Sequence, residues 1–179
     1  GLESGVPRAL YNVHYAVAED EPEAMARQYL RENGDGLRLV DPLLGDLVLR
    51  ASRRGLAGTT VRFEQRVQGI PVFASDLAVT IDRSHRVTFV TNGYEPGVSV
   101  PSTTPGVAAS TARASALAWL AVDGALAYEA ARLVVVPGGK QARLAWHVQM
   151  VPAVSPPGDW EVLVDAGLGE VLRAVDRAR

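Results

Sequence analysis

His14, His85 and His147 are the residues best suited to proton transfer or metal ligation near neutral pH. They lie far apart, and none sits in a His-x-x-x-His or Glu-x-x-His spacing. A zinc or di-iron centre needs three or four converging ligands, and this spacing supplies no such set. His147 follows Trp146 in an alternating run and falls on the opposite face, the place of a half-exposed sheet histidine. His85 falls in the polar turn Asp82–Arg86 and is expected to be solvated. Spacing alone leaves a pair of carboxylates open as general acid and base. Asp76, Asp82, Asp159 and Asp165 nevertheless all fall at strand ends, where turn-capping accounts for them. No G-x-S-x-G elbow occurs, so a serine nucleophile has no sharp turn to sit on. Gly138-Gly139 and Gly167-Leu168-Gly169 are too short to cradle a phosphate and precede strands rather than helices, so they read as turns. The chain has no cysteine, which excludes disulfides, thiolate nucleophiles and cysteine-ligated metals. A binding or folding role is what remains, with no catalytic, metal or cofactor residues expected.

The elements that must position these residues follow from periodicity. The stretch Val61–Ile81 holds two alternating strands hinged on Gln68-Gly69-Ile70-Pro71-Val72. Val61, Phe63 and Val67 point one way and Arg62, Glu64 and Arg66 the other, as expected for a sheet with one dry face and one wet face. Gln65 breaks the pattern by sitting on the apolar face. A buried amide must find partners, so Gln65 is expected to tie the sheet to the crossing chain, or else to touch a partner. Further strands are expected at 47–51, 59–67, 74–81 and 87–91, and again at 130–136, 143–151, 160–165 and 171–174. Each set follows a helix signal. Asp20-Glu21-Pro22-Glu23 is a capping sequence, with Met25, Ala26, Tyr29 and Leu30 on one stripe and Gly34 as the stop. Ser110 or Thr111 can cap a second helix, with Ala112, Ala116, Trp119 and Leu120 as its stripe and Gly124 beyond its end. Helix then antiparallel strands, twice, is an α+β arrangement rather than a parallel βαβ sheet. Between the halves, Pro96, Pro101 and Pro105 mark residues 96–109 as a linker or extended crossing. Residues 1–95 and 110–179 are then two modules.

Bulk properties agree with a binding module. The 179 residues are 47% hydrophobic and 21% charged, with a net charge of −2 from 18 basic and 20 acidic side chains that are interspersed. No basic stripe points to nucleic acid, and no apolar run reaches the roughly 20 residues of a membrane span. The chain opens on Gly1-Leu2-Glu3-Ser4 without a charged-then-apolar leader, as expected after removal of a signal peptide.

Phe63, Gln65, Gly69, Pro71 and Val72, followed by the strand Leu77–Ile81 and a turn, resemble the propeptide of thermolysin- and fungalysin-type zinc metalloproteases. That family turn often carries Asn-Gly, where this chain has Ser84-His85-Arg86. The second half resembles a PepSY module of cystatin-like type. It does so in 133–137, in 144–148 with Trp146, in Trp160 to Asp165, and in Gly169 to Leu172. The resemblance leans to the fungalysin side, because thermolysin-type propeptides often carry Val-His where this chain has Val79-Thr80. It implies a non-catalytic part of a secreted zymogen, with transit through a periplasm where there is one. The partner would be the cognate zinc protease domain, with zinc only in that partner, and the role that of chaperone and inhibitor. Val175, Asp176, Arg177, Ala178 and Arg179, expected to leave the last strand, are the candidate inhibitory tail. A free-standing metalloprotease inhibitor and a cell-envelope PepSY-type binding module are the rival readings.

Overall fold

The computed structural model describes residues 7–138 and 141–178. Gly139 of the expected glycine turn and Arg179 of the candidate tail lie outside the described residues. The chain divides into two units, Gly1–Val98 and Ser99–Arg179, each built from antiparallel strands and helices in the α+β manner.

The first unit runs β1 (Ala9–Ala16), α1 (Pro22–Glu32), α2 (Gly34–Leu37), β2 (Leu47–Gly55), β3 (Gly58–Val67), β4 (Ile70–Pro71), β5 (Leu77–Ile81) and β6 (Arg86–Asn92). The strands order as β1-β6-β5-β3-β2, with β4 paired to β3 off that path. Helix α1 lays Met25, Ala26, Tyr29 and Leu30 on the sheet, where they close a core with Val61, Phe63, Leu77, Val79 and Val90. Two features differ from the capping pattern. Glu21, not Asp20, precedes the helix, and no side chain caps it; Pro22, which lacks an N–H, lowers the need for one. Gly34 does not end the helical region but opens α2, and the left-handed residue is Arg38.

Strand β1 is the element that alternation misses. Asn12 and His14 take φ of 54° and 51°, and the register with β6 shifts between Tyr11 and Tyr15. Those two left-handed residues break the period of 2 on which strand recognition rests. Strand β5 starts at Leu77 rather than Ala74, because Ala74 at φ 57° belongs to the preceding turn. The β3–β4 connection is a two-residue hairpin in which Gln68 and Gly69 have φ of 49° and 81°. Two positive φ values in succession give the turn whose twist matches paired strands. In the β5–β6 turn, Asp82 Oδ1 accepts from the N–H of Ser84 and of Arg86, and His85 supplies the left-handed residue at φ 57° that glycine or asparagine fills more easily.

The second unit holds α3 (Ala109–Leu120), β7 (Leu126–Val136), β8 (Arg143–Pro152), β9 (Trp160–Asp165) and β10 (Val171–Asp176) in the order β10-β9-β8-β7. Ala108 precedes α3, so neither Ser110 nor Thr111 is its cap. Ala112 and Ala116 lie against Val148, Met150, Val162 and Val164, with Leu117 and Leu120 beside them. Trp119 is 64% exposed and off the stripe; Leu117 takes its place. The Gly106 and Val107 amides both donate to Ala166 O, and Trp146 Nε1 donates to Val107 O at 3.0 Å. The end of the Pro-rich stretch is therefore hydrogen-bonded within the second unit.

Candidate interaction surface

The first unit concentrates its polar order around Gln65. Its Nε2 donates to Glu95 O at 2.8 Å, while its Oε1 accepts from the Glu95 N–H at 2.9 Å. One amide side chain thus meets both main-chain groups of Glu95, as a neighbouring strand would. The Gln65 main chain is engaged as well. Its N–H donates to Ser75 Oγ, its carbonyl accepts from Val72, and Ser75 Oγ in turn donates to Val72 O. Val72 is buried, and Pro71 sits on the two-residue edge β4 opposite Arg66, where a missing N–H costs no ladder bond. Phe63 is fully buried beneath α1, with the Arg27 guanidinium 4.9 Å from its ring centre. The structure thus brings Gln65, Val72 and Pro71 into one small region, with Phe63 one pair along β3 and Gly69 in the adjoining turn.

Glu64 departs from the alternating expectation. It is 2% exposed rather than on a wet face, and Arg50 Nη1 and Arg66 Nε lie 3.0 and 3.3 Å from its carboxylate. A buried carboxylate is tolerated where such cations replace the lost water. Arg62 does point to solvent.

In the second unit, Asp165 Oδ1 accepts from the N–H of Gly167 and Leu168, and the Gly169 N–H, at φ 81°, returns to Asp165 O. Trp146 and Trp160 pack against the α3 core. The Asp159 N–H donates to Asp176 Oδ1. That bond belongs to a clasp at the end of β10. Asp176 Oδ1 also accepts from Ala178 N, Arg177 N–H donates to Asp159 O, and Arg177 Nη1 lies 3.4 Å from Glu161 Oε2. Val175 and Asp176 are part of β10, so they do not leave the sheet at Ala174 as the alternating run suggested. The hydrophobic pattern ends there, but main-chain pairing with Trp160 and Glu161 continues.

His147 is 8% exposed rather than half-exposed, with its Nε2 3.0 Å from Glu161 Oε2. Burial lowers its pKa below the ordinary histidine value, and the Glu161 carboxylate opposes that shift without cancelling it. A base whose folded pKa is depressed leaves stability intact above its unfolded pKa, about 6.5, and removes it as pH falls through the folded pKa. The second unit is therefore expected to lose stability as pH falls from about 6.5 toward the lower folded pKa. His147→Gln should flatten the pH dependence of its urea midpoint between neutral and mildly acid solution; an unchanged slope would contradict this.

Among the described residues no three His, Asp or Glu side chains converge on a possible metal position, and no helix is long and apolar enough to cross a membrane. What the geometry offers is binding surface. Residues 46–94 match the sequence model described as Fungalysin/Thermolysin Propeptide Motif, the span that holds Phe63, Gln65, Gly69, Pro71 and Val72. The first unit carries this propeptide motif.

The chain is 29% identical over 163 residues to a thermolysin of Alicyclobacillus acidocaldarius, an alignment covering 86% of this chain and 30% of that protein. It is 27% identical over 172 residues to a bacillolysin of Bacillus subtilis, covering 88% of this chain and 33% of that protein. The chain thus spans about a third of the length of these relatives. Among solved structures, the Bacillus megaterium YpeB C-terminal domain aligns with 95% of this chain and 71% of its own length, at TM-score 0.48 and 10% identity. The propeptide motif is not a catalytic domain.

Proposed function

We propose that this chain is the prodomain of a secreted zinc metalloprotease, serving it as intramolecular chaperone and inhibitor. The observation that carries the proposal is the match of residues 46–94 to the propeptide motif, within an alignment that takes in nearly all of this chain but only a third of each protease. The second unit then plays the part of a PepSY-type module, and the zinc belongs to the partner. Secreted proteases are often held by kinetic rather than equilibrium stability, so a template that lowers the folding barrier has a purpose. Two locked sheets supply a template that keeps its shape while the partner folds.

Inhibition needs a segment in the substrate cleft. The chain beyond Arg177 is the candidate, because β10 and the bonds of Arg177 to Asp159 and Glu161 fix the point from which it departs. Main-chain carbonyl groups there can meet an open zinc position. Deleting 178–179 leaves β10 and the Arg177 bonds to Asp159 and Glu161 in place and is expected to weaken inhibition at least tenfold, about 1.4 kcal/mol. The removal of 175–179 would also cut the sheet and confuse the two effects. Unchanged potency would remove the tail from the mechanism.

The whole reading is tested by the sequence beyond residue 179 and by peptide hydrolysis. A downstream domain with a His-Glu-x-x-His helix, inhibited by micromolar amounts of this chain added in trans, is the expected result. A stop codon with retained inhibition would instead make it a free-standing inhibitor. An adjoining protease that the chain does not slow would remove the inhibitor role.

A further inference from the structure

The sheet of the first unit has two faces, and α1 covers the one built from Val61, Phe63, Val79 and Val90. On the other face one cross-strand row runs through all five strands of the main path. Arg53 on β2 is opposite Thr60 on β3, Thr60 is opposite Thr80 on β5, Thr80 is opposite Phe89 on β6, and Phe89 is opposite Tyr11 on β1. The next row on this face sets Arg62 between Ala51 and Ala78. The middle of the face is flat, since its side chains are short and the Thr60 and Thr80 hydroxyls bond each other at 2.9 Å. The two ends are not. At one, Tyr11 is 73% exposed and packs on Phe89 with ring centres 4.9 Å apart. At the other, Arg53 and Arg62 are exposed on adjacent strands, and neither side chain has a hydrogen bond or ion pair among the described residues.

Like charges set side by side on neighbouring strands weaken a sheet. Neither row contains a lysine, aspartate or glutamate. Arginine and aromatic side chains over a floor free of other charges match the composition of protein-recognition surfaces, where those two types also carry most of the affinity. Charge then defines the occupant. A guanidinium fork takes a carboxylate at two points. Two residues from Arg62 along β3, Glu64 shows that pairing on this face, with Arg50 and Arg66 at 3.0 and 3.3 Å. A nucleic acid is the poorer fit, because residues 1–98 hold more carboxylates than cations and repel a polyphosphate.

We propose that this face binds an extended acidic polypeptide segment, with carboxylates on Arg53 and Arg62 and an apolar side chain on the Tyr11–Phe89 pair. Five strands about 4.8 Å apart set the two ends about 19 Å from each other, so about six extended residues separate the acidic and apolar groups. Recognition of this kind adds to the prodomain reading without depending on it.

The test is selection of a random twelve-residue peptide library on the full chain. Enriched peptides are expected to carry acidic residues at one end and an aliphatic or aromatic residue about six positions away, and to bind more weakly as salt rises. The double variant Arg53→Gln/Arg62→Gln should bind them at least tenfold more weakly, and so should Tyr11→Ser, each at an unchanged melting temperature because the side chains are exposed. Should a variant misfold, amide shifts of Thr60, Arg62, Thr80 and Thr91 in the unmodified chain on addition of peptide decide. Failure to enrich acidic peptides overturns the proposal, as does enrichment that the three substitutions leave unchanged. Equal binding of inorganic polyphosphate shows a surface that takes any polyanion and overturns the peptide assignment. Self-association of the chain that the same substitutions abolish gives the face to a second copy and overturns it too.

Discussion

Gln65→Leu is expected to destabilise the first unit by about 2–4 kcal/mol, with the urea midpoint falling at an unchanged slope. The substitution keeps size and removes polarity. Both main-chain groups of Glu95 then lose the only partners that the side chain provides, at 2.8 and 2.9 Å. Leaving a buried donor or acceptor unmet costs about 1–3 kcal/mol each, against the smaller net worth of a bond formed. Glu95 is half-buried, so water recovers part of the loss and the lower end of the range applies to each group. Gln65→Glu keeps the acceptor and loses the donor, so it should cost less at pH 4 than at pH 7. A midpoint within experimental error of the unmodified chain would show that Gln65 does not tie the sheet. Inhibition of the partner should fall in step with folding for both variants. Lost inhibition at full stability would make Gln65 a contact residue instead.

Gly58→Ala carries the other large effect, about 3–5 kcal/mol. Gly58 opens β3 at φ +129°, in a region that residues with a side chain almost never enter. A Cβ there would stand 2.0 Å from Ile81 O and 2.9 Å from Asp82 Cα. Both are backbone atoms, at the end of β5 and just beyond it, so relief requires β5 to move from β3. Gly69→Ala is the control. Its φ is +81°, but no atom lies within 4 Å of the added methyl, so only the left-handed conformation is strained. That costs about 1–2 kcal/mol. Equal losses at the two positions, read as shifts of melting temperature, would refute the close-approach account.

Strict alternation made most of the sheets legible. Val61, Phe63, Leu77, Val79 and Val90 repeat with the sheet period, and they are the core. The helix stripe of Met25, Ala26, Tyr29 and Leu30 is equally plain, because a period of 3.6 over eleven residues has few alternatives. Strand β1 was not legible, since Asn12 and His14 leave the β region and no local signal says so. Neither were the helix starts. Asp20, Ser110 and Thr111 have the right chemistry for caps, but packing set each boundary elsewhere.

Local sequence determined the α+β class, the hairpins at Gln68-Gly69 and Asp82–Arg86, and the pattern by which residues 46–94 match the propeptide motif. These follow from backbone preference and side-chain period, which act over a few residues. Tertiary structure decided the rest. Glu64 and His147 are buried because of what lies across the strands from them: Arg50 for one, and for the other Glu161, two register steps away on a neighbouring strand. Val175 and Asp176 stay in the sheet because Asp159, just before β9, and Glu161 on it reach the chain there. Burial and pairing between distant residues depend on which strands become neighbours, and no short-range pattern encodes that.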